Sequence, residues 1–150
     1  MVKIVNKKIK CACCGNTVSV DRLLSFSYEN MGLSGNKHTS MQYLMEECPE
    51  CHYASLDIED SSIRVTRGML NAFRMKPGYE KIADATFTSI LKAAYVYEIN
   101  KDYGRYEHVL RLASFFAEDL QEVGLSRDFL RQANEALQNY FENKDELDIL

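Results

Sequence analysis

The chain has 150 residues, 46% of them apolar and 27% charged, and carries a formal net charge of −4. Such a length fits one compact domain or a small module attached to a modest one, and the composition is ordinary for a globular protein. Mild acidity argues against a general nucleic-acid binder, which carries a basic surplus.

The charge is unevenly spread. Residues 1–81 hold 11 Lys and Arg against 9 Asp and Glu, whereas residues 82–150 hold 7 against 13, so the acidity belongs to the C-terminal part. Trp is absent, and nine Tyr and seven Phe must supply the large rings. The first ten residues, MVKIVNKKIK, scatter lysines with no apolar run behind them and do not read as a signal peptide. No stretch approaches the roughly 18 apolar residues that a membrane span needs. The KDEL string from Lys144 to Leu147 is internal and reads as no retrieval signal. Five cysteines with no secretion signal point to a reducing cytoplasmic setting, where paired thiols hold metal more often than they form disulfides.

In chain order, residues 3–10 alternate charged and apolar positions (Ile4, Ile9) and predict a short strand running into the first cysteine cluster. Thr17 to Val20 is β-branched with a period of two, and Leu23 to Tyr28 continues it or forms a second strand. Asn30 to Asn36, punctuated by Gly32 and Gly35, reads as a loop, and a strand from about Thr39 to Glu46 leads to the second cysteine pair. A unit this small and poor in large apolar residues needs a staple.

Beyond residue 57 the period changes. Ile63, Thr66, Leu70 and Phe73 are spaced for one helical face, with Ser61 or Ser62 as cap, and Pro77-Gly78 is a break. Phe87, Ile90, Leu91, Ala94 and Tyr97 predict a helix of about 20 residues ending near Lys101 to Gly104. Tyr106, Val109, Leu110, Ala113, Phe116, Ala117 and Leu120 predict the next, stopped by Gly124 as a C-terminal cap. Ser126 then caps a last helix with the stripe Phe129, Ala133, Leu137 and Tyr140. Connections of about four residues make these helices antiparallel neighbours. The fold expected is α+β, with a β-rich ribbon over 1–56 packed with a helical bundle over 57–150.

The chemistry sits in Cys11-Ala-Cys13-Cys14-Gly15 and Cys48-Pro49-Glu50-Cys51. Two C-x-x-C pairs on turns between strands supply four thiolates, Cys11, Cys14, Cys48 and Cys51, that can enclose one tetrahedral ion. Gly15 permits the positive φ such a turn requires, and His52 holds the matching position after the second pair. Cys13 is a surplus thiol. His38 and His52 are not needed as ligands once four cysteines complete a closed set. The ligands suit zinc or iron, and zinc is the expectation, because a rubredoxin-like iron electron carrier is little more than its site while two thirds of this chain is helical. A closed four-thiolate site leaves no position for water, so the metal would be structural.

The segment Ala94, Tyr97, Asp102-Tyr103 and Leu110 to Ala113 resembles a tetratricopeptide repeat. Tyr106 departs from it where the repeat carries alanine, and one repeat implies a TPR-like bundle rather than a solenoid. The whole pattern, with Glu47-Cys48-Pro49-Glu50-Cys51-His52-Tyr53-Ala54 as its second half, is similar to a bacterial family that sets a zinc ribbon of the form C-x-x-C-G…E-C-P-x-C-x-Y-A ahead of TPR-like helices. That resemblance implies fold and metal and carries no established activity.

Three roles follow. TPR-like helices imply an interaction or scaffolding module, with an unknown protein partner or a second copy of the chain, and rings such as Tyr95, Tyr97, Tyr103, Tyr106, Phe115 and Phe116 exceed what one stripe buries. A nucleic-acid face of Lys3, Lys7, Lys8, Lys10, Arg64, Arg67, Arg74, Lys76 and Lys81 is opposed by Glu46, Glu47, Glu50, Asp57, Glu59 and Asp60 nearby. An enzyme is not expected. No glycine-rich phosphate loop, H-E-x-x-H or nucleophile elbow is present, His108 reads as a surface residue, and Glu118-Asp119 diverge on a helix.

Overall fold

The computed structural model describes residues 3–25, 45–82 and 84–149. The predicted loop at Asn30 to Asn36, the start of the strand at Thr39 and the position of His38 lie outside those residues.

The first strand, β1 (Lys3–Lys10), pairs antiparallel with β2 (Thr17–Ser25), and β3 (Glu46–Glu47) pairs antiparallel with β4 (Ala54–Ser55). Register puts Ile9 opposite Val18 and Lys10 opposite Thr17. Alternation along the strands therefore buries Ile9, Val18 and Val20 on one face and leaves Lys8, Lys10 and Ser19 in solvent. Each hairpin is closed by a six-residue cysteine turn, Cys11 to Asn16 in one and Cys48 to Tyr53 in the other.

Four helices follow: α1 (Arg67–Ala72), α2 (Ala85–Ile99), α3 (Tyr103–Asp119) and α4 (Val123–Ile149), with a 3-10 turn at Tyr79–Lys81. The α+β expectation holds. Helix α3 packs between α2 and α4, and α2 also lies against β4, so α2 is covered on more than one side. Its buried set, from Phe87 and Ser89 to Val96 and Tyr97, wraps most of its circumference. Phe87 stacks on Phe116 and meets Phe129 edge-on, each at 5.8 Å between ring centroids, which ties α2, α3 and α4 into one core. Among the described residues no helix is long and apolar enough to cross a membrane.

The first helix departs from the predicted spacing. Thr66, not Ser61 or Ser62, is its cap, accepting from the Met69 N–H at 3.1 Å, while Ile63 precedes it and Phe73 only closes it. Local side-chain bonds outcompete the helix upstream. Asp60 accepts from both the N–H and the hydroxyl of Ser62, at 2.9 and 2.6 Å. Asn100 grips the Arg64 backbone twice, accepting its N–H and donating to its carbonyl, each at 2.8 Å. Between these anchors Ile63 and Val65 bury alternately, as extended chain does.

The helix stops also differ. Helix α2 has 15 residues and ends ahead of Lys101, and Gly124, the expected stop for α3, lies inside α4 together with the expected cap Ser126. The left-handed positions are Lys101 (φ 56°) and Gln121 (φ 64°). Both ends close identically: Lys101 N–H to Glu98 O and Asp102 N–H to Tyr97 O at 3.0 Å each, then Gln121 N–H to Glu118 O and Glu122 N–H to Ala117 O at 2.9 and 2.8 Å. These are Schellman ends that recruit no glycine. Ser126 is buried instead, sharing a 2.9 Å hydroxyl contact with Ser114 of α3.

Ribbon and helices share one hydrophobic core, running from Ile9 and Cys48 through Tyr53 and Ile58 to Tyr97 and beyond. The junction is polar at chosen points. The Tyr97 hydroxyl bonds Ser55 Oγ at 2.8 Å and accepts the Leu56 N–H at 3.2 Å, and Arg105 of α3 pairs with Asp60 at 3.2 Å.

Candidate metal centre

Cys11 and Cys48 stand at the starts of the two turns, fully buried, and Cys14 and Cys51 follow at their half-buried ends. The two turns repeat one hydrogen-bond pattern. In the first, the Gly15 N–H reaches Cys11 O at 2.9 Å and the Cys11 N–H reaches Asn16 O at 3.0 Å. In the second, the His52 N–H reaches Cys48 O at 2.8 Å and the Cys48 N–H reaches Tyr53 O at 2.9 Å. The residue after each pair takes a left-handed backbone, Gly15 at φ 75° and His52 at φ 63°. The sequence expectation for both positions holds. His52 is exposed, and its place is set by the backbone.

The four sulfurs converge, all lying within 4.8 Å of one another. Cys11 Sγ is 3.7 Å from Cys51 Sγ, and Cys14 Sγ is 3.7 Å from Cys48 Sγ. A disulfide needs ~2.05 Å, so these are free thiols. Four sulfurs each ~2.3 Å from a tetrahedral ion lie ~3.8 Å apart, and the two 3.7 Å edges match that figure. The donor set and its spacing thus fit a metal ion held by Cys11, Cys14, Cys48 and Cys51, and S₄ ligation accepts zinc and iron alike.

Burial and backbone dipoles pull the thiols in opposite directions. Burial pushes Cys11 and Cys51 well up, against N–H groups of Cys13 and Cys14 aimed at the first and of Tyr53 at the second. Cys14, at the rim, is lowered, first by the Asn16 N–H. A divalent cation held there would resolve this conflict by keeping all four as thiolates, and its binding would release protons. Cys13 lies outside the group of four, half-buried against the core, and burial raises its thiol too.

A polar clamp around the centre has no sequence signal. Glu46, 4% exposed and two residues before Cys48, receives Arg22 of β2 through two bonds of 2.7 and 3.1 Å. The same carboxylate accepts the Ile58 N–H at 3.1 Å, while Ile58 O accepts the Ala12 N–H at 2.8 Å inside the first turn. One buried acid therefore ties β2, β3 and the segment after β4 to the turn that carries Cys11 and Cys14.

Of the rings expected to exceed the core, Tyr97 and Phe116 are buried, whereas Tyr95, Tyr103 and Tyr106 are half-buried and line grooves on the helical half. His108 is exposed on α3, as expected. No family model, curated protein or solved structure matches the chain.

Proposed function

We propose that this is a structural zinc protein whose ribbon braces a non-catalytic, TPR-like helical module that binds another protein in the cytoplasm. The observation carrying the metal half is the convergence of four thiols at tetrahedral spacing, with two 3.7 Å edges. Four protein ligands leave no open position for water, so the ion supports folding rather than chemistry. The binding half rests on half-buried Tyr95, Tyr103 and Tyr106 along clefts between helices, where groove-binding modules place their anchors.

Elemental analysis of the purified protein beside Cys48→Ser, with a visible spectrum, tests the metal. One zinc per chain, colourless and lost in the variant, is expected. A coloured iron site with a reversible potential would move the protein to the electron carriers, and no metal in the wild type would remove the centre altogether.

A further inference from the structure

The four thiols come from two hairpins that share no ladder. Cys11 and Cys14 lie in the turn of β1–β2, Cys48 and Cys51 in the turn of β3–β4, and the hairpins form separate sheets. Each 3.7 Å sulfur edge, Cys11 to Cys51 and Cys14 to Cys48, crosses from one hairpin to the other. Backbone bonds inside each turn fix the spacing within a pair. They leave the spacing between pairs to whatever joins the hairpins, and a tetrahedral ion tolerates little error in it.

The Glu46 carboxylate makes such a join. Its side chain is 3% exposed and stands two residues before Cys48. Arg22 of β2 reaches it through Nε at 2.7 Å and Nη2 at 3.1 Å, a two-bond grip that fixes orientation as well as distance. Its Oε1 also accepts the Ile58 N–H at 3.1 Å, and the Ile58 carbonyl accepts the Ala12 N–H at 2.8 Å, between Cys11 and Cys14. The first hairpin is thus held to Glu46 twice, at β2 directly and at its cysteine turn through one intervening residue. Burying a carboxylate costs free energy, and Arg22 has half-exposed acids to pair with in any case, Asp57 at 3.2 Å and Glu59 at 3.6 Å. What the buried acid adds is the reach to Ile58. That residue is fully buried, where a hydrogen bond is stronger than it is in water.

We infer that Glu46 is the positioning residue of the metal centre: through Arg22 and Ile58 it sets the distance between the Cys11–Cys14 pair and the Cys48–Cys51 pair, and so how tightly the ion is held. This rests on the metal reading of the four thiols. It adds the residue that governs their mutual placement.

The test measures the zinc affinity of the full reduced chain by competition with a chromogenic chelator. Glu46→Ala is expected to bind zinc about tenfold to a hundredfold more weakly than wild type. Glu46→Gln, which keeps the shape and one acceptor oxygen, should lose less, though still about threefold or more. Asp57→Asn also touches Arg22 but lies off the path to Ala12, and should stay within about twofold of wild type. A second readout separates positioning from lost stability. In the zinc-loaded Glu46 variants, peptide-mapped alkylation should rise over wild type at Cys11 and Cys14 more than at Cys48 and Cys51, because the first turn is the one released. A chain that merely unfolds more often labels all four faster by one factor. Should Glu46→Ala fail to fold, Glu46→Gln carries both measurements. Unchanged affinity in the Glu46 variants, an equal loss in Asp57→Asn, or uniform labelling would overturn the proposal, and a wild type that holds zinc then leaves the metal reading standing. A wild type that takes up no metal overturns both.

Discussion

Gly15 and His52 occupy one place in two copies of the same turn, and they meet its demand unequally. A left-handed backbone costs an L-residue ~1–2 kcal/mol, while glycine adopts it freely but loses more entropy on folding. His52 therefore carries a strain that Gly15 does not. His52→Gly is expected to raise stability by roughly 0.5–1 kcal/mol in urea unfolding of the zinc-loaded protein, with zinc stoichiometry unchanged. Gly15→Ala should cost ~1 kcal/mol or more. Space is not the reason, since the nearest atom to an added Cβ is Lys10 Cε at 3.9 Å. Loss of zinc on replacing His52 would make it a ligand and contradict the four-cysteine set.

At the scale of elements, the two helix connections are copies of each other, with Lys101 and Gln121 in the left-handed position and a glycine three residues later, Gly104 and Gly124, near the start of the next helix. Each glycine sits where a helix former would serve better, and each non-glycine where glycine would. Gln121→Gly and Gly124→Ala should each stabilise by ~0.5–1 kcal/mol, read as upward shifts of the thermal midpoint. An added Cβ at Gly124 meets nothing within 4 Å. If Gln121→Gly destabilised instead, the Schellman geometry at Glu118 and Ala117 would be wrong.

This inversion shows where sequence reading reaches its limit. The C-x-x-C turns were legible because spacing, a following left-handed residue and flanking strands are all local, and the helical stripes because a period of 3.6 survives in fifteen residues. The stops were misplaced because glycine is the usual left-handed residue, whereas here hydrogen bonds alone force Lys101 and Gln121 into that region. The short first helix was overextended because Asn100 holds Arg64 from 36 residues away. The Arg22–Glu46 pair, 24 residues apart, left no pattern to read.

For the whole molecule, the metal centre is one end of a core that continues into the helices, so its occupancy bears on both halves. A metal ion bound by the folded state alone would add ~4 kcal/mol when the free ion exceeds its dissociation constant a thousandfold. Under the proposed metal reading, a strong chelator is expected to lower the thermal midpoint of the ribbon and of α2 together. A helical transition that ignores the chelator would show that the halves melt independently. Tyr53 and Tyr97 lie fully buried where those halves meet, in a chain without Trp. Phenol rings held in an asymmetric packing are optically active in the near ultraviolet, and zinc itself is silent there. The junction thus carries its own indicator: under the proposed metal reading, loss of the ion should weaken the share of the tyrosine circular dichroism band that Tyr53 and Tyr97 contribute, without label or dye.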